Sequence, residues 1–329
     1  FFFYADSQHR CTKQVKETTC TGGHSAYVGE FELIDYPVTK NEILSEGDQA
    51  WADALSAINI GKFQLGFSSC GICEHAFYEA LTHSHNRRLY NKMRVTDFPH
   101  IRNAYNEAFV RINMMKLYAL RSLDYFRSMN DNDRRYLLLN PIQKSKVTME
   151  GTEVIRMMLD CVVAKGFENE TYFEQAVRDI EMVPRLEGTT HINMALILKF
   201  MKNYFFTNKE YEYVPKRNDI ANDSEIFKQK TGKLKFVEFP DYKKAYEGIN
   251  ETPNMKVFRE QTELLRGFLA KSTPTEEQSK NIDYMMGIGQ MFTMVVYAQL
   301  IIENCKIYDM EEVMVDQMFH YMVKDFSKY

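Results

Sequence analysis

Residues 50 to 206 contain four stretches in which apolar side chains recur at intervals of three and four residues. This spacing places the side chains on one face of an α-helix. The first stretch carries Leu55, Ile58, Lys62, Leu65, Ser69, Ile72 and Ala76 on its inward face. The second carries Ile101, Tyr105, Ala108, Ile112, Met115 and Ala119. Four amphipathic helices in succession predict an antiparallel four-helix bundle and a mainly α fold.

The last two helices have recognisable ends. Pro141 suits the first turn of the third helix, and Gly166 is a typical residue to follow a helix at its carboxyl end. The fourth helix is predicted from Thr189 to Phe205. Lys62 interrupts the apolar stripe of the first helix, so a charged side chain is expected at the edge of the bundle.

The regions on either side of the bundle have different patterns. Residues 1–49 include the run FFFY and the alternating stretch SAYVGEFELIDYPV, which predict part of a β domain. Residues 207–256 are charged and turn-rich, and we expect a long surface connection. Helical patterns then return as far as residue 329. The predicted divisions are therefore 1–49, 50–206 and 207–329, the last being a linker and a helical extension.

Charge and hydropathy exclude some classes of protein. Lys plus Arg number 41 against 45 Asp plus Glu, so the chain has no basic surface of the kind that binds nucleic acid. The apolar run from Met285 to Ile302 contains Gln290 and Gln299, which favours a buried helix over a membrane span. The chain opens with FFFYADSQHR and no methionine, which is typical of the interior of a longer protein.

The cysteine and histidine patterns predict neither disulfides nor a metal site. Scattered cysteines in a large chain indicate reduced thiols and a cytoplasmic location. Cys70 and Cys73 lie in mid-helix without a second pair, so buried side chains on successive turns are expected. His83 and His85 are two residues apart, and such positions point away from each other on a helix. The cysteines are Cys11, Cys20, Cys70, Cys73, Cys161 and Cys305.

The stretch VPRLEGTTHINMALILKF places the carboxylate of Glu187 directly before a turn and an apolar helix. A capping box would need Glu or Gln three residues after the capping threonine, but Ile192 and Asn193 stand there. Glu187 is therefore either a carboxylate that favours the helix dipole or a catalytic base. The glycine patterns of nucleotide-binding loops and the G-x-S-x-G pattern of serine hydrolases do not occur in the sequence.

The order of these pieces resembles the acyl-CoA dehydrogenase family over residues 24–206. The matching pieces are FELIDYPVTKNEILSEGDQAW, then INIGKFQLGFSSCGICEHAFYEALTHSHNRRLYNK, DFPHI, KGF and VRDIEMVPRLEGTTHI. The resemblance implies the end of a middle β domain, the whole C-terminal bundle and an FAD cofactor. It also implies an acyl-CoA or related thioester as substrate. An electron-transfer flavoprotein or oxygen would be the electron acceptor, and the protein would be a homo- or hetero-oligomer.

The resemblance assigns roles around the Glu-Gly-Thr turn. Glu187 stands where many members keep the base that removes the proton next to the thioester, while hydride from the next carbon passes to flavin N5. A carboxylate in an apolar pocket suits such a base. Lys62 matches a substrate-side arginine, Gly188 lies on the substrate side of the same turn, and Thr189 is expected near the flavin.

A second group of residues is implied for cofactor binding. Arg87 matches an arginine that meets the flavin pyrophosphate across a dimer contact, and a guanidinium suits phosphate. Tyr90 stands in the same motif, where phenylalanine is usual. Gly166 is the remaining glycine of a family stretch that approaches the adenine end of FAD.

The sequence also departs from the family pattern. Asp160 replaces a glutamine, and Val163 and Ala164 replace a glycine pair; Asn91, Pro99 and His191 are further departures. These changes leave open a structural or regulatory subunit that binds little flavin. An acyl-CoA oxidase is a second alternative, because it would share every residue discussed.

Overall fold

Ten α-helices make up most of the part of the chain that the computed structural model describes, which comprises residues 1–220, 222–272 and 274–329. The predicted mainly α fold is confirmed. The helices up to residue 206 are α1 (Gly47–Asn86), α2 (Pro99–Arg127), α3 (Tyr136–Ile142), α4 (Thr148–Val162), α5 (Tyr172–Met182) and α6 (Thr190–Phe206). Those of the extension are α7 (Pro253–Lys271), α8 (Glu276–Lys280), α9 (Ile282–Ile307) and α10 (Glu312–Phe326).

Helix α1 is the longest element, at 40 residues, and it packs against α2, α4 and α5. The predicted inward stripe is confirmed at Ser69 and Ala76, but elsewhere it was wrong by about one residue, since Asn59, Phe63, Gly66, Cys70 and Cys73 are buried instead of their predicted neighbours. Small and polar side chains on this face gave the apolar pattern too little contrast. In α2, by contrast, the predicted seam is buried from Tyr105 to Ala119.

Helices α3 and α4 form one continuous rod, because a turn of π-helix, Gln143–Val147, joins them. The rod begins at Tyr136 and contains Pro141, so the prediction of a start near Pro141 was wrong. Gln143 Nε2 donates to Phe63 O in α1 at 2.6 Å. A Cβ added at Gly66 would lie 2.8 Å from Gln143 Nε2, so this glycine makes room for the contact. A π-turn often marks a functional position in a helix.

Helix α5 was not anticipated from the sequence. It packs against α1 and α4 through the buried side chains of Phe173, Ala176 and Ile180. Its outer side contacts the β region, where Asp179 Oδ1 accepts from the backbone N–H of Gly23 at 2.7 Å.

The β region forms two separate antiparallel pairs. Strand β1 (Phe2–Phe3) pairs with β4 (Ile43–Ser45), and β2 (Thr12–Glu17) pairs with β3 (Gly29–Leu33). Every residue of β3 is exposed, and the Phe31 side chain is 64% exposed. Two-stranded ribbons of this kind have little core of their own.

The extension covers the opposite side of the bundle. Helix α9 lies against α2, α6 and α10, with nearly all of its residues from Ile288 to Cys305 buried. By length and mean hydropathy, 1.6 over its most apolar window, it is long and apolar enough to cross a membrane, but 72% of that window is buried inside the protein. Alone among the helices in the described residues, it meets those two criteria.

The described residues between 207 and 252 form short 3₁₀ turns rather than long helices. The side chains of Val237, Phe239, Tyr242 and Tyr246 are buried in the core. The prediction of a surface connection was therefore wrong for the part that carries these four side chains, because widely spaced aromatic residues have no periodicity from which burial could be inferred. Most described residues from 207 to 236 are exposed, as predicted.

Candidate functional site

Glu187 lies in the turn that joins a 3₁₀ segment, Val183–Arg185, to helix α6. Its backbone φ is +52°, in the left-handed region that residues other than glycine rarely adopt, and Gly188 follows with φ +88°. Thr189 caps α6, because its Oγ1 accepts from the N–H of Ile192 at 3.4 Å. The threonine therefore performs the capping, and the half-buried Glu187 side chain is left for another role.

The Glu187 carboxylate rests directly on helix α1 at Gly61. A Cβ added at Gly61 would overlap Glu187 Oε1 and would lie 2.8 Å from Glu187 Cδ. Any other residue at this position would move the carboxylate. Gly61 was not singled out from the sequence, although a glycine in the middle of a long helix is a signal of close approach.

Two lysines, Lys62 and Lys144, interact electrostatically with the carboxylate. Burial lowers the pKa of Lys62, and the nearby Glu187 carboxylate partly offsets that shift. Burial and the Lys62 charge lower the pKa of Lys144 to about 8, against the opposing effect of Glu187. Among the described residues, neither lysine forms a salt bridge with Glu187 within 4.0 Å. The turn thus carries one carboxylate in the field of two partly desolvated cations.

Lys144 lies in the π-turn and is fully buried. Its Nζ donates to Pro184 O at 2.5 Å and also to Gly188 O. Asn193 of α6 donates from Nδ2 to Gly188 O at 3.1 Å and to Thr189 O at 3.0 Å. These two residues were missed in the sequence because a buried Lys or Asn that bonds to backbone carbonyls leaves no motif.

The predicted cofactor residues Arg87 and Gly166 lie together at the other end of α1. Arg87 follows the last turn of α1 and, with Lys165 next to Gly166, lines an open groove of about 740 Å³. The remaining residues of the groove are Glu79, Thr82, His83, Asn86, Ala164 and Glu168. Lys165 Nζ forms a salt bridge with Glu168, whereas Arg87 forms none with the described residues. The groove thus offers a guanidinium to an anion.

Tyr90 lies close to Arg87 in sequence but outside this groove. It occupies a 3₁₀ turn, Tyr90–Lys92, and its side chain is 84% exposed. An isolated antiparallel β-bridge between the backbones of Arg88 and Arg94 closes the turn. Tyr90 is available to a neighbouring molecule rather than to the groove of its own chain.

In the turn beside the groove, a residue other than glycine has a backbone conformation typical of glycine. Val163 has φ +59° and ψ −136°, in a region that is almost restricted to glycine. Gly166 is buried, and a Cβ there would lie 2.5 Å from Leu159 Cδ1. Val163 therefore adopts a backbone conformation that is usual for glycine although it carries a side chain.

The structure brings together Lys62, Glu187, Gly188 and Thr189 in one place, and Arg87 and Gly166 in another. With a rise of 1.5 Å per residue, the α1 segment from Lys62 to Asn86 is roughly 36 Å long. The two groups are too far apart for one small molecule to contact both within a single chain.

The cysteine pair is structural. Cys70 and Cys73 are buried, and Cys73 Sγ donates to Gly151 O at 3.5 Å. Burial raises the pKa of both thiols, that of Cys70 to about 12, so neither is a reactive thiolate. No group of three or more metal-ligating side chains was found in the described parts of the chain.

Residues 48–202 match the sequence model "Acyl-CoA dehydrogenase, C-terminal domain". Over this region the resemblance to the acyl-CoA dehydrogenase family is confirmed. No curated protein matches the chain.

Solved structures with the same fold extend this result. An acyl-CoA dehydrogenase complexed with FAD from Bacillus anthracis aligns with 99% of the chain and 57% of its own, at a TM-score of 0.73 and 14% identity. A nitroalkane oxidase aligns with 61% of the chain and 46% of its own, at a TM-score of 0.55 and 13% identity. An electron transferring flavoprotein of Acidaminococcus fermentans aligns with 60% of the chain and 50% of its own length, at a TM-score of 0.54 and 16% identity.

These likenesses concern the fold alone, and the chain spans about half of the length of the structures it is similar to. The 99% coverage by the Bacillus anthracis structure includes the helical extension as well as the bundle.

Proposed function

We propose that the chain is the C-terminal part of an FAD-dependent, acyl-CoA dehydrogenase-like oxidoreductase in which Glu187 is the catalytic base. The observation that carries this proposal is the Glu187 carboxylate, which lies on Gly61 in a left-handed turn and interacts electrostatically with Lys62 and Lys144. A carboxylate that only favoured a helix dipole would need neither a glycine opposite it nor a strained backbone.

The chain's own residues divide the chemistry between them. Glu187 removes the proton from the carbon next to the thioester carbonyl. Lys62 then stabilises the negative charge that develops on the carbonyl oxygen, because its ammonium is half-buried and only partly compensated. When bound, FAD supplies the acceptor for the hydride from the next carbon. Gly188 and Thr189 border the space in which substrate and flavin would meet.

The residues of the second group fit the phosphate end of the cofactor. The Arg87 guanidinium in the groove suits a pyrophosphate, and Lys165 adds a second cation partly neutralised by Glu168. Because this groove lies roughly 36 Å along α1 from the Glu187 turn, Arg87 would serve the flavin of a neighbouring subunit. The proposal therefore includes an oligomer.

A flavin-poor structural or regulatory subunit is the alternative, and the Val163–Ala164 pair favours it. Side chains at these positions narrow the approach to the backbone where the family has glycines. An acyl-CoA oxidase would share the residues proposed here, and the two differ in whether oxygen or a flavoprotein takes the electrons.

The visible absorption spectrum of the full-length protein tests the proposal. We expect flavin bands, after addition of FAD if necessary, that bleach when a suitable acyl-CoA is added anaerobically. The panel should include a nitroalkane, because one structural neighbour is a nitroalkane oxidase crystallized with 1-nitrooctane. Return of the bands with oxygen would indicate an oxidase. A protein that takes up no flavin would instead favour the structural subunit.

Glu187→Gln separates the base from the binding site, because it removes the charge and keeps the shape. The variant should retain its flavin bands but lose turnover by about 10²–10⁴-fold, as expected for loss of a general base. Bleaching at the wild-type rate would contradict the assignment of Glu187.

A further inference from the structure

Lys144 is a fully buried cation that the proposed chemistry does not use. Removing a charged group from water is unfavourable unless hydrogen bonds replace the lost hydration. Lys144 Nζ donates two hydrogen bonds, to the carbonyl oxygens of Pro184 and Gly188, and these two residues lie on either side of Glu187 in the sequence. The cation therefore spans the turn that carries the carboxylate.

Asn193 contacts the same turn from the side of helix α6. Its Nδ2 donates to Gly188 O and Thr189 O, while its own Oδ1 accepts no hydrogen bond among the described residues. Gly188 O thus accepts from both Lys144 and Asn193. Three carbonyl groups around the turn, those of residues 184, 188 and 189, therefore accept hydrogen bonds from buried side chains.

We propose that Lys144, assisted by Asn193, is a positioning residue that holds the Glu187 turn in its left-handed conformation against Gly61. The π-turn brings the Lys144 side chain to this position, and Gln143 beside it anchors the π-turn to α1 through Phe63 O. The clamp itself depends only on these contacts. Its catalytic consequence rests on the function proposed above.

A simple electrostatic role is the competing explanation, in which Lys144 acts only as a positive charge near Glu187. Lys62 distinguishes the two roles, because it lies in the same field but forms no hydrogen bond to the turn among the described residues. Lys62→Met removes a nearby charge and keeps the clamp. Lys144→Met removes the clamp and keeps a side chain of similar length.

Limited trypsin digestion of the full chain measures the clamp without any flavin. Arg185 is exposed in the turn, so opening of the turn should be detected as cleavage between Arg185 and Leu186. We expect this cleavage to accelerate at least about tenfold in Lys144→Met and to a smaller extent in Asn193→Ala. Cleavage after exposed Lys280 provides the internal reference.

Lys62→Met and the surface control Lys202→Met should cleave at Arg185 at the wild-type rate. Acceleration in Lys62→Met equal to that in Lys144→Met would overturn the clamp in favour of a charge effect. An unchanged rate in Lys144→Met would overturn it as well. If Lys144→Met unfolds and every site is cleaved faster, the test rests on Asn193→Ala, because that variant keeps Lys144. Faster cleavage of Asn193→Ala at Arg185 alone would support the clamp, and cleavage at the wild-type rate would refute it.

A second readout belongs to the flavin-loaded protein. If the proposed function holds, kcat of Lys144→Met should fall at least about tenfold with little change in KM and with the flavin bands retained. A protein without flavin would refute the proposed function and leave the digestion result valid. An active enzyme whose turn does not open in Lys144→Met would refute the clamp alone.

Discussion

Two turns beside helix α1 share one backbone feature in different surroundings. Glu187, which contacts Gly61, and Val163, near the carboxyl end of α1, are both non-glycine residues with positive φ, +52° and +59°. The Glu187 turn is held by buried donors on two sides. The Val163 side chain is 57% exposed, and its turn borders an open groove.

The difference indicates why each strained residue is present. At residue 187 the strain accompanies a side chain that we propose to be the catalytic base, and buried groups hold its turn. At residue 163 the backbone lies beside buried Gly166, whereas the valine itself is 57% exposed. Strain therefore indicates a functional side chain only where the surroundings are also built around that side chain.

Among the variants that keep Glu187, Gly61→Ala has the largest expected effect. In a helix interior this change normally stabilises by up to about 1 kcal/mol. Here the new Cβ displaces the flexible end of Glu187, so we expect stability to change little and turnover to fall about 100-fold, as for a misplacement on the order of 1 Å. Steady-state kinetics and urea unfolding measure the two quantities.

Gly71→Ala is the matched control for Gly61→Ala. Gly71 lies in the same helix, and a Cβ there would meet nothing within 4 Å. This variant should gain stability and keep full activity. Equal activities for the two variants would show that the contact between Gly61 and Glu187 does not position the carboxylate.

Lys144→Met should reduce the free energy of unfolding by about 2 kcal/mol, because Pro184 O loses a charged donor in a buried place. Denaturant titration at pH 7 measures this loss. Lys202→Met, at an exposed position of α6, should change stability by less than about 0.5 kcal/mol. Equal values for both variants would contradict the buried role of Lys144.

The pH dependence of stability should also differ between wild type and Lys144→Met. The pKa of Lys144 is lowered to about 8, below the value of roughly 10.4 for an unfolded lysine. Between these values the native state binds fewer protons at Lys144 than the unfolded state does. The Lys144 contribution to stability should therefore rise with pH across this interval, by at most about 1.4 kcal/mol per pH unit. Parallel stability curves for the two proteins from pH 8 to 10 would contradict this.

The smallest effect tests the other end of the helix. Val163→Gly should stabilise the chain by about 1 kcal/mol, because relief of the positive φ exceeds the entropy that glycine adds to the unfolded state. Ala164→Gly is the control, since φ of Ala164 is not positive and the change should destabilise by roughly 0.5–1 kcal/mol. Thermal melts compare them. Loss of stability in both variants would refute the strain at Val163.

The sequence by itself determined the helical class, the buried seam of α2 and the start of α6 at the Glu-Gly-Thr turn. These features follow from local periodicity and capping, which depend on neighbours within about one or two helical turns. The family resemblance added the candidate roles of Glu187, Lys62 and Arg87 through the order of short motifs.

Only the tertiary structure decided which residues surround Glu187. Gly61, Lys144 and Asn193 come from three different helices, and their contacts with the turn join positions that are distant in sequence, except for those of Asn193. The π-turn and the burial of residues 237–246 also depended on packing partners rather than on local pattern. A contact between distant segments leaves a mark in a single sequence only when it requires an unusual residue. Gly61 in the middle of α1 is such a mark, whereas a lysine or an asparagine in a helix is too common to reveal a contact.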